Sequence, residues 1–153
     1  MSLPSPRVPI LRGPLRGHWW SPLSGGQFGR VGGGTCEPDL TRLFTERVGS
    51  GAVVFDLGAH IGYYMVLAAV LVKGRGRVLA FEPNPRNLRH LRRHVSMNRC
   101  ERVEIVPSAV SEREGTASFA RGSGSGTGRL ATEGALRVST TSVDGVVARP
   151  TSR

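Results

Sequence analysis

Two acids and two glycines carry the spacing in this sequence that suits chemistry: Asp56-x-Gly58-x-x-x-Gly62, then Glu82 twenty residues beyond Gly62. The glycines let the backbone turn sharply and leave room for a ligand to lie against the main chain. A carboxylate such as Glu82 accepts from two neighbouring hydroxyls at once, as the ribose of a nucleoside requires. The ligand is not a dinucleotide. That fingerprint needs Gly-x-Gly-x-x-Gly, and its second and third positions here would be His60 and Tyr63, so a pyrophosphate would meet side chains. No Gly-Lys-Ser/Thr follows either, which removes a Walker loop. Neither of these two phosphate-binding patterns is therefore present.

The flanking segments are the elements that must position these residues. Val53 to Leu57 reads as a short strand buried on both faces, and Ile61 to Val72 as a buried helix whose first turn points free N–H groups at the loop. Arg77 to Glu82 is a second strand ending in an acid. A helix follows, with Asn84 as its cap, Pro85 in its first turn, and Leu88, Leu91 and Val95 on its inner face. Arg86, His90, Arg93 and His94 are expected on the opposite, solvated face. Arg102 to Pro107 is a third strand, and small residues at Ser108, Ala109 and Val110 would leave space for an adenine ring. Strand, glycine turn and helix in this order predict an α/β, Rossmann-like parallel sheet.

In order along the chain, Glu37-Pro38-Asp39-Leu40, Asp56-Leu57-Gly58-Ala59-His60-Ile61-Gly62-Tyr63-Tyr64, Phe81-Glu82-Pro83-Asn84-Pro85, Asn98, and Ala109-Val110-Ser111 with Glu114-Gly115 resemble the FkbM-type S-adenosylmethionine-dependent methyltransferases. The resemblance runs over about residues 35 to 145 and implies a class I methyltransferase sheet with S-adenosylmethionine as cofactor. It implies O-methylation of a small molecule or sugar, with a small-molecule acceptor as partner. It places Asp56, Gly58, Ala59, His60 and Gly62 around the methionine part, Glu82 at the ribose, and Ser108, Ala109 and Val110 by the adenine, with Tyr63 and Pro83 also expected at the cofactor. Glu37 is expected either at the same cavity or as a helix-start acid. His60 stands where the family usually has Asn, which leaves its backbone N–H as the expected contact. Family members continue past the segment Val138 to Asp144 into a fourth core strand, which this chain lacks. The sheet is therefore expected to be incomplete on its C-terminal side. Whether the chain is itself an enzyme stays open, no catalytic residue is assigned, and a non-catalytic cofactor-binding remnant is the alternative. With order 3-2-1-4 expected, Val53–Leu57 would present an apolar edge suited to self-association.

Composition bounds the other readings. Residues 1–34 hold prolines at 4, 6, 9, 14 and 22 and are expected to be flexible or loosely packed, with Trp19 and Trp20 as possible anchors. Residues 35–147 form the cofactor-binding domain, 148–153 a tail, and 121–129 a mobile glycine-serine loop between two short strands. The net charge of +10 comes from twenty arginines and one lysine against eleven acids. It is spread along the chain, so nucleic acid is disfavoured and an RNA-associated methyltransferase is the least supported alternative. His90 and His94 lack a third ligand, so no metal is expected. Cys36 and Cys100 fit a reduced protein, and with no signal peptide or long apolar span the cytoplasm is the expected compartment.

Overall fold

The computed structural model describes residues 6–25, 28–120, 122, 128–134 and 136–149. Residues 121 and 123–127 of the expected mobile loop and 150–153 of the expected tail lie outside them. The chain opens with an antiparallel pair, β1 (Val8–Pro9) and β2 (Trp19–Trp20), then two helices, α1 (Phe28–Gly32) and α2 (Pro38–Arg47). The alternating core follows: β3 (Val53–Leu57), α3 (Tyr63–Val72), β4 (Arg77–Phe81), α4 (Pro85–Asn98) and β5 (Val103–Val106). Strands β6 (Ala109–Val110), β7 (Gly115–Ala120), β8 (Arg129–Ala131) and β9 (Leu136–Thr141) come next, and α5 (Val143–Val147) closes the described part.

The core strands pair in parallel in the order β3-β4-β5, with Phe55 opposite Leu79 and Ala80 opposite Ile105. This is the predicted Rossmann-like arrangement, with β4 central and β3 at the edge. Helix α3 is apolar on every side because it is enclosed; Met65, Val66, Leu67 and Ala68 are fully buried. It starts at Tyr63 rather than Ile61, since Gly62 sits at φ 96 and ends the loop. The second sheet has the order β6-β9-β7-β8 and mixes a parallel pair, β6 with β9, with antiparallel ones.

Three expectations are corrected. Strand β3 is not buried on both faces: Val53, Phe55 and Leu57 are 58%, 38% and 55% exposed. Partners in register share a face, so these three lie beside Arg77, Leu79 and Phe81. On that face Val146 of α5 packs with Leu79, Phe81 and Val106 and stops short of β3.

The N-terminal segment is not loose in its described part. Ile10, Leu15, Trp20 and Val31 are buried in the same cluster as α3 and Leu91. Trp20 stacks on His94 with ring centroids 3.7 Å apart, and the Trp19 N–H donates to Asn98 Oδ1 at 2.8 Å.

The third correction is His94 itself, which is fully buried rather than solvated. At 100° per residue, Asn87, Leu91, His94 and Asn98 line up on one stripe, and the N-terminal segment covers it. Among the described residues no helix is long and apolar enough to cross a membrane.

Candidate functional site

Where β3 ends, the chain is clipped to its neighbour. The N–H groups of Gly58 and Ala59 both donate to the Phe81 carbonyl, at 2.9 and 2.8 Å. Gly58, His60 and Gly62 then take positive φ angles of 88°, 53° and 96°, which coil the loop tightly before α3 begins. A side chain on Gly62 would meet Leu91 Cδ1 at 2.7 Å and Met65 Cε at 2.9 Å, so this glycine lets α4 approach the loop. A side chain on Gly58 would meet nothing within 4 Å, because that position faces open space.

The open space is a cavity of about 320 Å³ at the carboxyl tips of the strands. Gly58, His60, Glu82, Pro83, Ser108, Ala109 and Val110 all line it. Loop, second-strand acid and the small residues after the third strand thus converge on one cleft. Asp56, Ala59, Gly62 and Tyr63 do not line it. For Asp56 the reason is the pleat, which turns successive side chains to opposite faces, so Leu57 lines the cavity and Asp56 points to the helix side. Ala59 is folded onto Phe81, and the Tyr63 hydroxyl lies 3.2 Å from Thr41 Oγ1 in α2. Glu37 is at the start of α2 and accepts from the Tyr64 hydroxyl at 3.0 Å, so the helix-start reading describes it.

Glu82 is 4% exposed and held by three donors. Its Oε2 accepts from the His60 N–H at 2.8 Å, and its Oε1 from the Asn84 N–H at 2.8 Å and Asn87 Nδ2 at 3.3 Å. The His60 N–H therefore ties the loop to Glu82 rather than standing free for a ligand. Burial raises the Glu82 pKa, and these three donors oppose the rise. Asn84 still caps α4, its Oδ1 accepting from the Arg86 N–H at 3.0 Å. Of the roughly four lone-pair sites of the carboxylate three are taken, which leaves one on Oε2.

Asp56 is in a different state. Its Oδ2 is buried with no hydrogen-bond partner among the described residues. Burial first and the Glu82 charge second push its pKa up to about 6, against the pull of the Met65 N–H. A buried carboxylate left short of partners is a site waiting for a cation or a donor.

Several cavity residues carry no motif. Leu57, Phe81, Phe119 and Leu130 supply apolar walls, and Asn87 and Arg129 supply polar ones. Asn87 could have been found, since a polar residue on the Leu91 stripe needs a buried partner. Arg129, Leu130 and Phe119 come from the second sheet, which the sequence pattern showed only as short strands. His94 supports the loop from behind. A carbonyl only accepts, so the Nδ1–H must donate to the Ile61 oxygen at 2.7 Å while Nε2 accepts from the Ser21 N–H at 3.1 Å. Burial accordingly lowers its pKa to about 4.

Cavity and loop fit the cofactor implied by the sequence: Gly58 leaves room at the wall and Glu82 reaches the cleft. The Methyltransferase FkbM domain model matches residues 56–152, well over half of the chain. Among solved structures, precorrin-6y C5,15-methyltransferase from Geobacter metallireducens is 24% identical, with a TM-score of 0.42, over 46% of this chain and 38% of that one. An S-adenosylmethionine-dependent methyltransferase from Aquifex aeolicus is 21% identical, with a TM-score of 0.41, over 46% and 37%. Aeropyrum pernix fibrillarin, solved with natively bound S-adenosylmethionine, is 21% identical, with a TM-score of 0.40, over 47% and 32%. The chain spans less than two fifths of the length of each. No curated protein matches it. On the family match, the chain belongs to the FkbM methyltransferases, whose cofactor is S-adenosylmethionine.

Proposed function

We propose that residues 35–147 are the cofactor-binding part of an enzyme that methylates an oxygen of a small molecule or sugar. The observation that carries the reading is the meeting of Gly58 and Glu82 in one cleft, beside the small residues that follow the third core strand. S-adenosylmethionine supplies a methyl group on a positively charged sulfur, ready for in-line displacement. The protein's share is placement. Glu82, held in place by three donors, accepts from one ribose hydroxyl through the site left on Oε2. Ser108, Ala109 and Val110 leave space for the adenine, and Pro83 stiffens the turn beneath it. Asp56, turned to the helix side, acts on the charged amino-acid end through its field rather than by contact, and a cation there relieves the repulsion between the two carboxylates.

Isothermal titration with S-adenosylhomocysteine tests this. Wild type is expected to bind, and Glu82→Gln, which keeps the shape but loses the charge, to bind more weakly. A folded protein with no measurable heat at any accessible concentration would rule the assignment out.

A second reading, a cofactor-binding module without catalysis of its own, is favoured by the bare apolar face of β3. Under either reading we propose that β3 mediates self-association. The cytoplasm is the proposed compartment, on the support of two buried, unpaired cysteines.

A further inference from the structure

Parallel strands bring the loops that precede them to one end of the sheet. Here the loops before β4 and β5 meet at the end opposite the cofactor cleft, and with His18 of the N-terminal segment they line an open hollow of about 440 Å³. Its floor is apolar, from Ala69, Val70 and the buried Cys100. Its rim carries Lys73, Arg99 and Arg102 against the single acid Glu101, which leaves two positive charges uncompensated. Among the described residues no carboxylate pairs with any of the three cations. The nearby Arg77 is different, being engaged by Glu104.

Two of these cations sit on backbone that few side chains adopt. Lys73 has φ 54 and ψ −164, adjoining a region ordinarily left to glycine, and Arg99 has φ 51 and ψ 46. Gly74, next to Lys73, would take such a conformation freely but is not among the positive-φ glycines. Helix-end electrostatics accounts for Lys73 and Arg99 one at a time, because each follows a helix C-terminus. It does not account for Arg102, which precedes a strand, nor for the convergence of all three on one hollow.

We propose that this hollow binds the phosphate group of a small phosphorylated metabolite. A phosphate dianion matches the two uncompensated charges, guanidinium forks suit its oxygens, and the apolar floor suits a short carbon skeleton. A nucleic-acid backbone calls for a track of cations along a surface, whereas these converge on one hollow.

Lys73 is the single lysine of the sequence, so amine-selective labelling read by peptide mass spectrometry reports on this hollow directly. At matched ionic strength, glycerol 3-phosphate and inorganic phosphate are expected to slow Lys73 labelling about fivefold or more relative to potassium chloride. Arg102→Gln, an exposed change that leaves the lysine in place, is expected to weaken that protection about tenfold. Lys73→Gly is expected to raise the melting temperature by relieving strain while abolishing phosphate binding in a calorimetric titration. Equal labelling in phosphate and chloride would overturn the proposal. So would protection that survives both Arg99→Gln and Arg102→Gln, or protection by a short RNA with none by the small phosphates.

Discussion

Strands β3 and β4 are neighbours of nearly equal length, both apolar and both ending near an acid, yet they live in different environments. Every β4 residue from Val78 to Phe81 is at most 2% exposed, while alternate residues of β3 are 38% to 58% exposed. The tip acids differ in the same way, Glu82 being held by three donors while one oxygen of Asp56 has none. An apolar run states what a strand needs; whether the need is met depends on what lies on its other side. Strand β4 has β3 and β5 on its flanks, α3 on one face and α5 near the other. Strand β3 has only one flank and one face covered among the described residues.

The sharpest break of the comparison is a matched pair of truncations. Phe81→Ala is expected to destabilise by about 3–5 kcal/mol, since a large buried side chain leaves a cavity. Phe55→Ala, on the same face one strand away, is expected to cost about 1 kcal/mol, because much of its surface is already in water. Urea melts of the two variants check this. Equal losses would mean that β3 is covered in solution.

At the tips, Glu82→Ala is expected to lose about 2–3 kcal/mol of stability, because it strands the His60, Asn84 and Asn87 donors together. It is also expected to lose more cofactor affinity than Glu82→Gln. Asp56→Asn is expected to do the opposite to stability. An acid whose folded pKa is raised holds its proton more tightly in the native state, so its favourable contribution is present in acid and fades as pH climbs from about 4 to about 6. At neutral pH the unprotonated Asp56 therefore costs the cofactor-free protein about 2–3 kcal/mol, and Asn removes that cost. Melting both proteins from pH 4 to 8 should show the variant's advantage appear over that window. His94 titrates in the reverse sense, its contribution lost as pH falls from about 6.5 toward 4, but it is common to both proteins and cancels in the difference.

These contrasts mark what the sequence could and could not show. Hydrophobic runs, the Gly58 turn and the Asn84 cap are local signals, and they placed β3, α3, β4, α4 and β5 with the correct parallel order. Glu82 was legible because its position at a strand tip is also local. The burial of His94 was not, since it depends on Trp20 arriving from 74 residues away in the chain. Asp56 was grouped with the loop because the motif is linear, whereas strand pleating turns it from the cleft. Arg129 and Phe119 belong to the second sheet, whose strands are short and joined through β9 by long-range pairing.

The smallest effect on stability tests the largest open surface. Phe55→Thr keeps a strand-favouring residue at the position and removes apolar area that the fold leaves uncovered. Its effect on the unfolding free energy is expected to stay within about 1 kcal/mol. Association should respond far more. The free edge of β3 offers unpaired backbone groups beside Val53, Phe55 and Leu57, a template for a second strand. Sedimentation velocity over a hundredfold range of concentration is expected to show wild type moving to larger species while Phe55→Thr stays monomeric. The net charge of +10 opposes any pairing of copies, so raising the salt should strengthen association of wild type. A wild-type protein that remains monomeric at high salt would remove β3 as a self-association edge and leave its exposure without an energetic consequence.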